Sequence, residues 1–202
     1  LNLLLSLSDA LDLASPLLAQ HQLRTAYIAY EISRRIGLTG DDETNLFIAA
    51  VLHDVGALTP EEKLGLHDAE VENVEQHCIL SEKLLVSVDM FKIPAKIVKF
   101  HHACWIKDTD CEEPSIAKAA QIVHLADTIE RSIDRDKFIL HQDKEISKYI
   151  QSLAGKDFPR DLIDVFLSFS DHEDFWLDLT SERLYSILLN QGPCRGIEID
   201  VS

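Results

Sequence analysis

The stretch FIAAVLHDVGAL, Phe47 to Leu58, drives a buried-looking run straight into two titratable side chains. Leu46 to Leu52 are seven consecutive apolar residues, and His53 and Asp54 follow at once. Burying a neutral polar group without a partner costs about 2–7 kcal/mol, and an isolated charge costs more. Such a segment needs a hydrogen-bond network or a cation at its end. Asp41, Asp42 and Glu43 precede the run and suit the positive end of a helix dipole. The stretch therefore reads as a central helix covered on most sides, with Asp41 or Asp42 as its N-cap and Gly56 ending it.

Helical periodicity continues on both sides. LNLLLSLSDALDLASPLL reads as an amphipathic first helix, and QHQLRTAYIAYEISRRIGL carries Ile28, Ile32 and Ile36 four apart before Gly37 as a C-cap. Pro60 opens a short helix in TPEEKLGL, and residues 68–90 hold one or two more. Pro94 opens the segment IPAKIVKFHHACW, which a loop around KDTDCEEP follows. Pro114 then leads a long helix with Ile116, Ala120, Val123, Asp127 and Glu130 on one side. Two or three helices cover residues 143–190, where Phe175, Trp176 and Tyr185 read as core, and the tail GPCRGIEIDVS reads as extended. The fold class is all-α. Residues 1–142 form the expected core, and residues 143–202 a C-terminal helical extension and linker packed on it.

Composition bounds the function. A chain of 202 residues that is 46% hydrophobic and 27% charged is an ordinary globular mixture. A net charge of −16 argues against a nucleic-acid polymer as partner, because binding one needs clustered lysine and arginine. A small phosphate ligand stays open, since bound divalent cations reverse the local charge. Four cysteines, Cys78, Cys104, Cys111 and Cys194, form no C-x-x-C pair and read as reduced, mostly buried thiols. The leucine-rich start is too polar to span a membrane and lacks a basic leader, so the expected setting is cytoplasmic. The chain opens on Leu1 rather than Met, and the expectation is an excised domain or a chain trimmed at its start.

Five further residues join His53 and Asp54: His21 at the head of the second helix, His77, the tandem His101 and His102, and Asp127 inside the apolar run IVHLADTI. Imidazole with carboxylate suits iron, manganese, zinc or cobalt, and a set this large can hold two ions. The series H-x-x-R (His21, Arg24), H-D-x-G (His53, Asp54, Gly56), His77, H-H-x-x-W (His101, His102, Trp105) and A-D (Ala126, Asp127) resembles the HD-domain metal-dependent phosphohydrolases. More narrowly it is similar to their HD-GYP branch, which hydrolyses cyclic di-GMP. The likeness spans about residues 15–136. It implies an HD-type helical bundle with two divalent transition metals, iron or manganese first, then zinc, cobalt or nickel. One would be held by His21, His53, Asp54 and Asp127. The other would be held by His77, His101 and His102, with Asp54 bridging and positioning the attacking hydroxide. Arg24 would orient the site from behind.

Three positions depart from the family pattern. Ala57 stands where a lysine follows H-D-x-G; Ala103 follows the histidine pair with no Gly-Tyr-Pro after it; and Leu17 replaces a glutamate that holds a third metal in some members. The leading expectation is a phosphodiesterase acting on a cyclic dinucleotide or related nucleotide. The alternatives are a catalytically impaired regulatory module, or a mononuclear nucleotidase using His21, His53, Asp54 and Asp127. The C-terminal stretch FWLDLTSERLYSILL resembles the link to a second HD-GYP domain in tandem proteins, the expected partner on the same polypeptide. His67, His124, His141 and His172 lie outside the series, with His124 one turn from Asp127.

Overall fold

The computed structural model describes residues 1–12, 18–57, 59, 62, 74–103, 111 and 113–193, and among these it has ten α-helices and no strand. They are α1 (Asn2–Asp12), α2 (His21–Arg35), α3 (Gly40–Leu52), α4 (Val74–Leu85), α5 (Lys92–Lys99), α6 (Pro114–Arg131), α7 (Asp143–Ser152), α8 (Arg160–Leu167), α9 (Glu173–Leu179) and α10 (Leu184–Gln191). Leu17, Pro60, His67, Cys104, Trp105, Cys194, most of residues 107–112 and the extended tail lie outside the described residues.

The all-α reading holds, and α3 is its centre. Every residue from Leu46 to Leu52 is at most 2% exposed, because α1, α2, α5 and α6 surround the helix. One boundary differs from expectation. The N-cap is Thr39, with Gly40 at a φ of 66°, so Asp41 and Asp42 fall inside the first turn and act through the helix dipole instead of capping it. Gly37 does end α2: at φ 73° its N–H donates to Arg34 O while the Leu38 N–H donates to Ser33 O. Pro114 opens α6 as expected, whereas Pro94 lies two residues inside α5.

Residues 143–190 form four short helices where two or three were expected. Turns at Leu153–Pro159, Ser168–His172 and Thr180–Arg183 break the run into pieces of ten residues or fewer. Aromatic packing holds these pieces down. Phe166, Phe169, Phe175 and Trp176 meet edge to face, and Tyr27 of α2 stacks on Phe175 at 5.8 Å. The Trp176 Nε1–H donates to Ser170 O at 2.8 Å, and the Arg35 guanidinium lies 3.8 Å from the Phe169 ring centre. Phe175 and Trp176 are core, whereas Tyr185 is half-buried and bonds through its hydroxyl to Asn2 and Ser6 of α1.

Candidate metal centre

The end of α3 meets the starts or ends of four other segments, and the titratable residues collect there. His53 is the C-cap of α3, and Asp54 follows in the turn to Gly56. His21 is the first residue of α2. Its backbone is aimed by Gln20, which holds a left-handed φ of 61°, a conformation that costs a non-glycine residue about 1–2 kcal/mol. Two contacts offset that cost. The buried Asp12 carboxylate of α1 accepts the Gln22 N–H at 3.0 Å, and Arg135 donates to Ala19 O at 2.8 Å.

Gly56 sets the distance between the α3 turn and α4. A Cβ at this position would lie 2.3 Å from His77 O and 2.5 Å from Ser81 N, both backbone atoms, so only glycine lets α4 approach. Ser81 fastens the junction, accepting the Gly56 N–H at 2.8 Å and donating to His53 O at 3.1 Å. This contact carries His77 to the mouth of the site.

Three histidines have their inner nitrogens prepared for a ligand. His53 Nδ1 donates to Ala50 O at 2.9 Å, His101 Nδ1 to Val98 O at 2.6 Å, and His21 Nδ1 to Glu130 Oε2 at 2.6 Å. Each bond keeps a proton on Nδ1 and aims Nε2 inward as the atom available to a ligand. The inward atoms converge on Asp54. Its Oδ2 lies 3.5 Å from His21 Nε2 and 3.2 Å from His53 Nε2; its Oδ1 lies 3.3 Å from His77 Nε2 and 3.8 Å from His101 Nε2. Asp127 Oδ1 completes the first group, 3.6 Å from His21 and 3.8 Å from His53. The His102 ring packs against those of His101 (4.0 Å between centres) and His77 (5.1 Å).

The spacing fits a cation. Two donors about 2.0–2.1 Å from one tetrahedral ion lie about 3.3–3.4 Å apart. His21 Nε2 and His53 Nε2 are 3.3 Å apart, and His77 Nε2 and His101 Nε2 are 3.5 Å apart. A shared proton or a cation between the two nitrogens satisfies either pair at these distances. Asp54 Oδ1 is buried and has no hydrogen-bond partner among the described residues, although the residue is only 6% exposed. His21, His53 and Asp54 form one group that could hold an ion, and His77, Cys78, His101 and His102 another.

Charges divide the site in two. Burial opposes protonation of His21 and His53, but Glu130 and Asp54 raise His21 well above the ordinary value, and Asp54 raises His53. Asp54 is held well below the carboxylate range: burial works against ionisation, and His53, His21 and His77 outweigh it. Burial, reinforced by the neighbouring imidazoles, pushes His101 and His102 well below the ordinary value. The His21 and His53 side of the site thus favours charge, whereas His101 and His102 on the other side resist it.

Supporting residues lie behind the ligand candidates. Glu130 bonds His21 on one oxygen and Arg135 at 2.6 Å on the other; despite burial, His21 and the arginines pull it down to about 2. Arg24 reaches this pair, 3.8 Å from Glu130 Oε1, so it touches the site through Glu130 and His21. Arg131 Nη1 lies 3.5 Å from Asp127 Oδ2, which leaves Oδ1 facing the histidines. His124 lies beside the site, its ring 5.2 Å from His102 and 4.8 Å from Phe158. Sequence reasoning gave no role to Glu130, three residues after Asp127, or to Cys78, next to His77. Only those spacings pointed to them.

The description "HD domain" matches residues 18–132, more than half of the chain, and every residue of the centre lies in that span. The chain is 21% identical over 173 residues to 3′3′-cGAMP-specific phosphodiesterase 1 of Vibrio cholerae, covering 81% of this chain and 40% of that protein. It is 33% identical over 96 residues to 3′3′-cGAMP-specific phosphodiesterase 3 of the same organism, covering 45% and 21%. It is 24% identical over 159 residues to a cyclic di-GMP phosphodiesterase of Thermotoga maritima, covering 73% and 43%. The chain thus matches less than half the length of each. A crystal structure of a cyclic GMP-AMP-specific phosphodiesterase of V. cholerae superposes with a TM-score of 0.71 at 15% identity, over 94% of this chain and 53% of that one. The residue series, the helical fold and the converging donors agree with the matched span, and the chain belongs to the HD domain family.

Proposed function

We propose that this chain carries the metal centre of a phosphohydrolase, a dinuclear phosphodiesterase acting on a cyclic dinucleotide or related nucleotide. The observation that carries the reading is Asp54, whose two oxygens face different groups of histidines. In this reading His21, His53, Asp54 and Asp127 hold one divalent ion, and His77, His101 and His102 hold the other, with Asp54 shared. Iron or manganese suits the nitrogen and oxygen donors; zinc, cobalt and nickel are the alternatives. Ions so held would polarise a phosphoryl oxygen and lower the pKa of a water beside it. The protein keeps the donors in place: Glu130 holds His21, Arg131 holds Asp127, and the Ala50 and Val98 carbonyls fix the His53 and His101 tautomers.

A cavity of about 660 Å³ adjoins the centre through His124 and Arg131, and Lys137, Tyr149 and Phe158 also line it. Its size suits a small organic ligand; its wall carries the cations Arg131 and Lys137 beside the carboxylates of Asp134, Glu145 and Asp157. The named relatives, which act on cyclic dinucleotides by their descriptions, support the same substrate class. The proposed partner is a second HD-GYP domain on the same polypeptide, with residues 143–202 as the extension and linker from the core at 1–142. No helix among the described residues is long and apolar enough to cross a membrane; a cytoplasmic setting is part of the proposal.

A second reading is favoured by Ala57, which is 2% exposed where the family carries lysine. No cation from that position reaches a phosphate, so the domain would bind metal and nucleotide without turnover. A hydrolysis screen on cyclic dinucleotides with metal-reconstituted protein separates the two. Turnover abolished by Asp54→Ala supports the enzyme; metal binding without turnover supports the regulatory module.

A further inference from the structure

We propose that Cys78 supplies a thiolate to the half-site of His77, His101 and His102, making the paired centre asymmetric, one half nitrogen and oxygen, the other nitrogen and sulfur. This rests on the paired-centre reading above and adds a donor to it. Cys78 Sγ lies 3.6 Å from His77 Nε2; its 3.5 Å approach to His101 is to Nδ1, the nitrogen that bonds Val98 O, and places the sulfur beside that ring without making Nδ1 a ligand. One donor atom from each of His77, Cys78, His101 and His102 falls within 4.8 Å of all the others. A sulfur about 2.3 Å and a nitrogen about 2.0 Å from one tetrahedral ion lie about 3.5 Å apart, so the first separation is that of two ligands sharing an ion.

A second observation points to the same place. The buried Asp54 Oδ1, which has no hydrogen-bond partner among the described residues, is aimed into this half-site, 3.3 Å from His77 Nε2 and 3.8 Å from His101 Nε2. On binding, the thiol proton goes to solvent and the S–H bond is exchanged for a sulfur–metal bond, with no change of oxidation state. A thiolate selects zinc or cobalt over manganese or magnesium at this half.

Cobalt(II) titration of the chelator-treated chain tests the proposal. Wild type should develop an intense near-ultraviolet sulfur-to-cobalt charge-transfer band, and Cys78→Ser should lose it while Cys111→Ser keeps it. Zinc affinity of Cys78→Ser should fall by at least ~10-fold. Zinc-edge X-ray absorption of the fully loaded wild type needs no variant and should show sulfur at about 2.3 Å, averaging about one sulfur for every two zinc ions. Full cobalt binding without the band, a band that survives Cys78→Ser, or a zinc shell of nitrogen and oxygen alone would overturn the thiolate and leave the paired centre standing. No cobalt binding at all would overturn both.

Discussion

Glu130→Gln is the substitution whose consequences the geometry defines most closely. The carboxylate is 1% exposed and receives His21 Nδ1 and Arg135, each at 2.6 Å, with Arg24 at 3.8 Å. A glutamine has the same shape but only one oxygen, so its NH₂ must oppose either the histidine N–H or the arginine. Where the NH₂ faces His21, the imidazole must give up its Nδ1 proton, and the proton it keeps on Nε2 points into the donor cluster. The magnitude follows from the Glu130 pKa, about 2 against an ordinary 4.5: a shift of about 2.5 units at 1.36 kcal/mol each is about 3 kcal/mol. Because this pKa is depressed, the stability it provides is present above about pH 4.5 and is lost as pH falls towards about 2.

Urea unfolding of chelator-treated protein at neutral pH should show Glu130→Gln less stable by about 2–3 kcal/mol, a drop of about 4–12 °C in Tm for a chain of this size. Between about pH 5 and about pH 2 wild type should lose that advantage, and the two curves should converge. In the metal-loaded protein, loss of the group behind a ligating histidine should weaken metal binding about 10- to 100-fold. A variant within about 0.5 kcal/mol of wild type, with unchanged metal affinity, would refute the argument that Glu130 governs His21.

Gly56→Ala should destabilise the chain by about 1–3 kcal/mol, since its Cβ meets backbone atoms of α4, and should weaken metal binding by moving His77 from Asp54; equal thermal transitions would contradict this. Trp176→Ala should cost about 3–5 kcal/mol in a single transition, if α7–α10 share one core with α2; an added early transition would show that they melt separately. Metal affinity should rise with pH through the neutral range, because His21 and His53 hold their protons above the ordinary value and must release them to bind an ion. The same raised values mean that the metal-free chain keeps their contribution below about pH 6.5 and loses it as pH climbs through the folded values. A chelator-competition series covers the first point and alkaline unfolding the second; flat profiles would count against both.

The legible parts of this protein are those that depend on neighbours in the chain. The apolar run Leu46–Leu52 announced a central helix, and Pro114 announced α6 to the residue. His53 and Asp54 stood out because their polarity conflicts with the run before them. Glu130 was harder to see, because its role depends on α6 lying against α2, with His21 109 residues away. Cys78 looked like a small apolar residue, since nothing local shows that His101 and His102 return beside it. The division of Asp54 between two groups of histidines is a property of one carboxylate's orientation, and no spacing encodes it. Likewise, turn positions after Ser152 were invisible to periodicity alone, so four short helices read as two or three.

The central claim is that Asp54 joins two ion-binding groups. It is tested most directly by the metal content of the chain after reconstitution with iron under reducing conditions, beside Asp54→Ala. The account predicts about two equivalents per chain in wild type and loss of most of that metal in the variant, with its helical content kept. No metal in wild type, or full retention in Asp54→Ala, would contradict it.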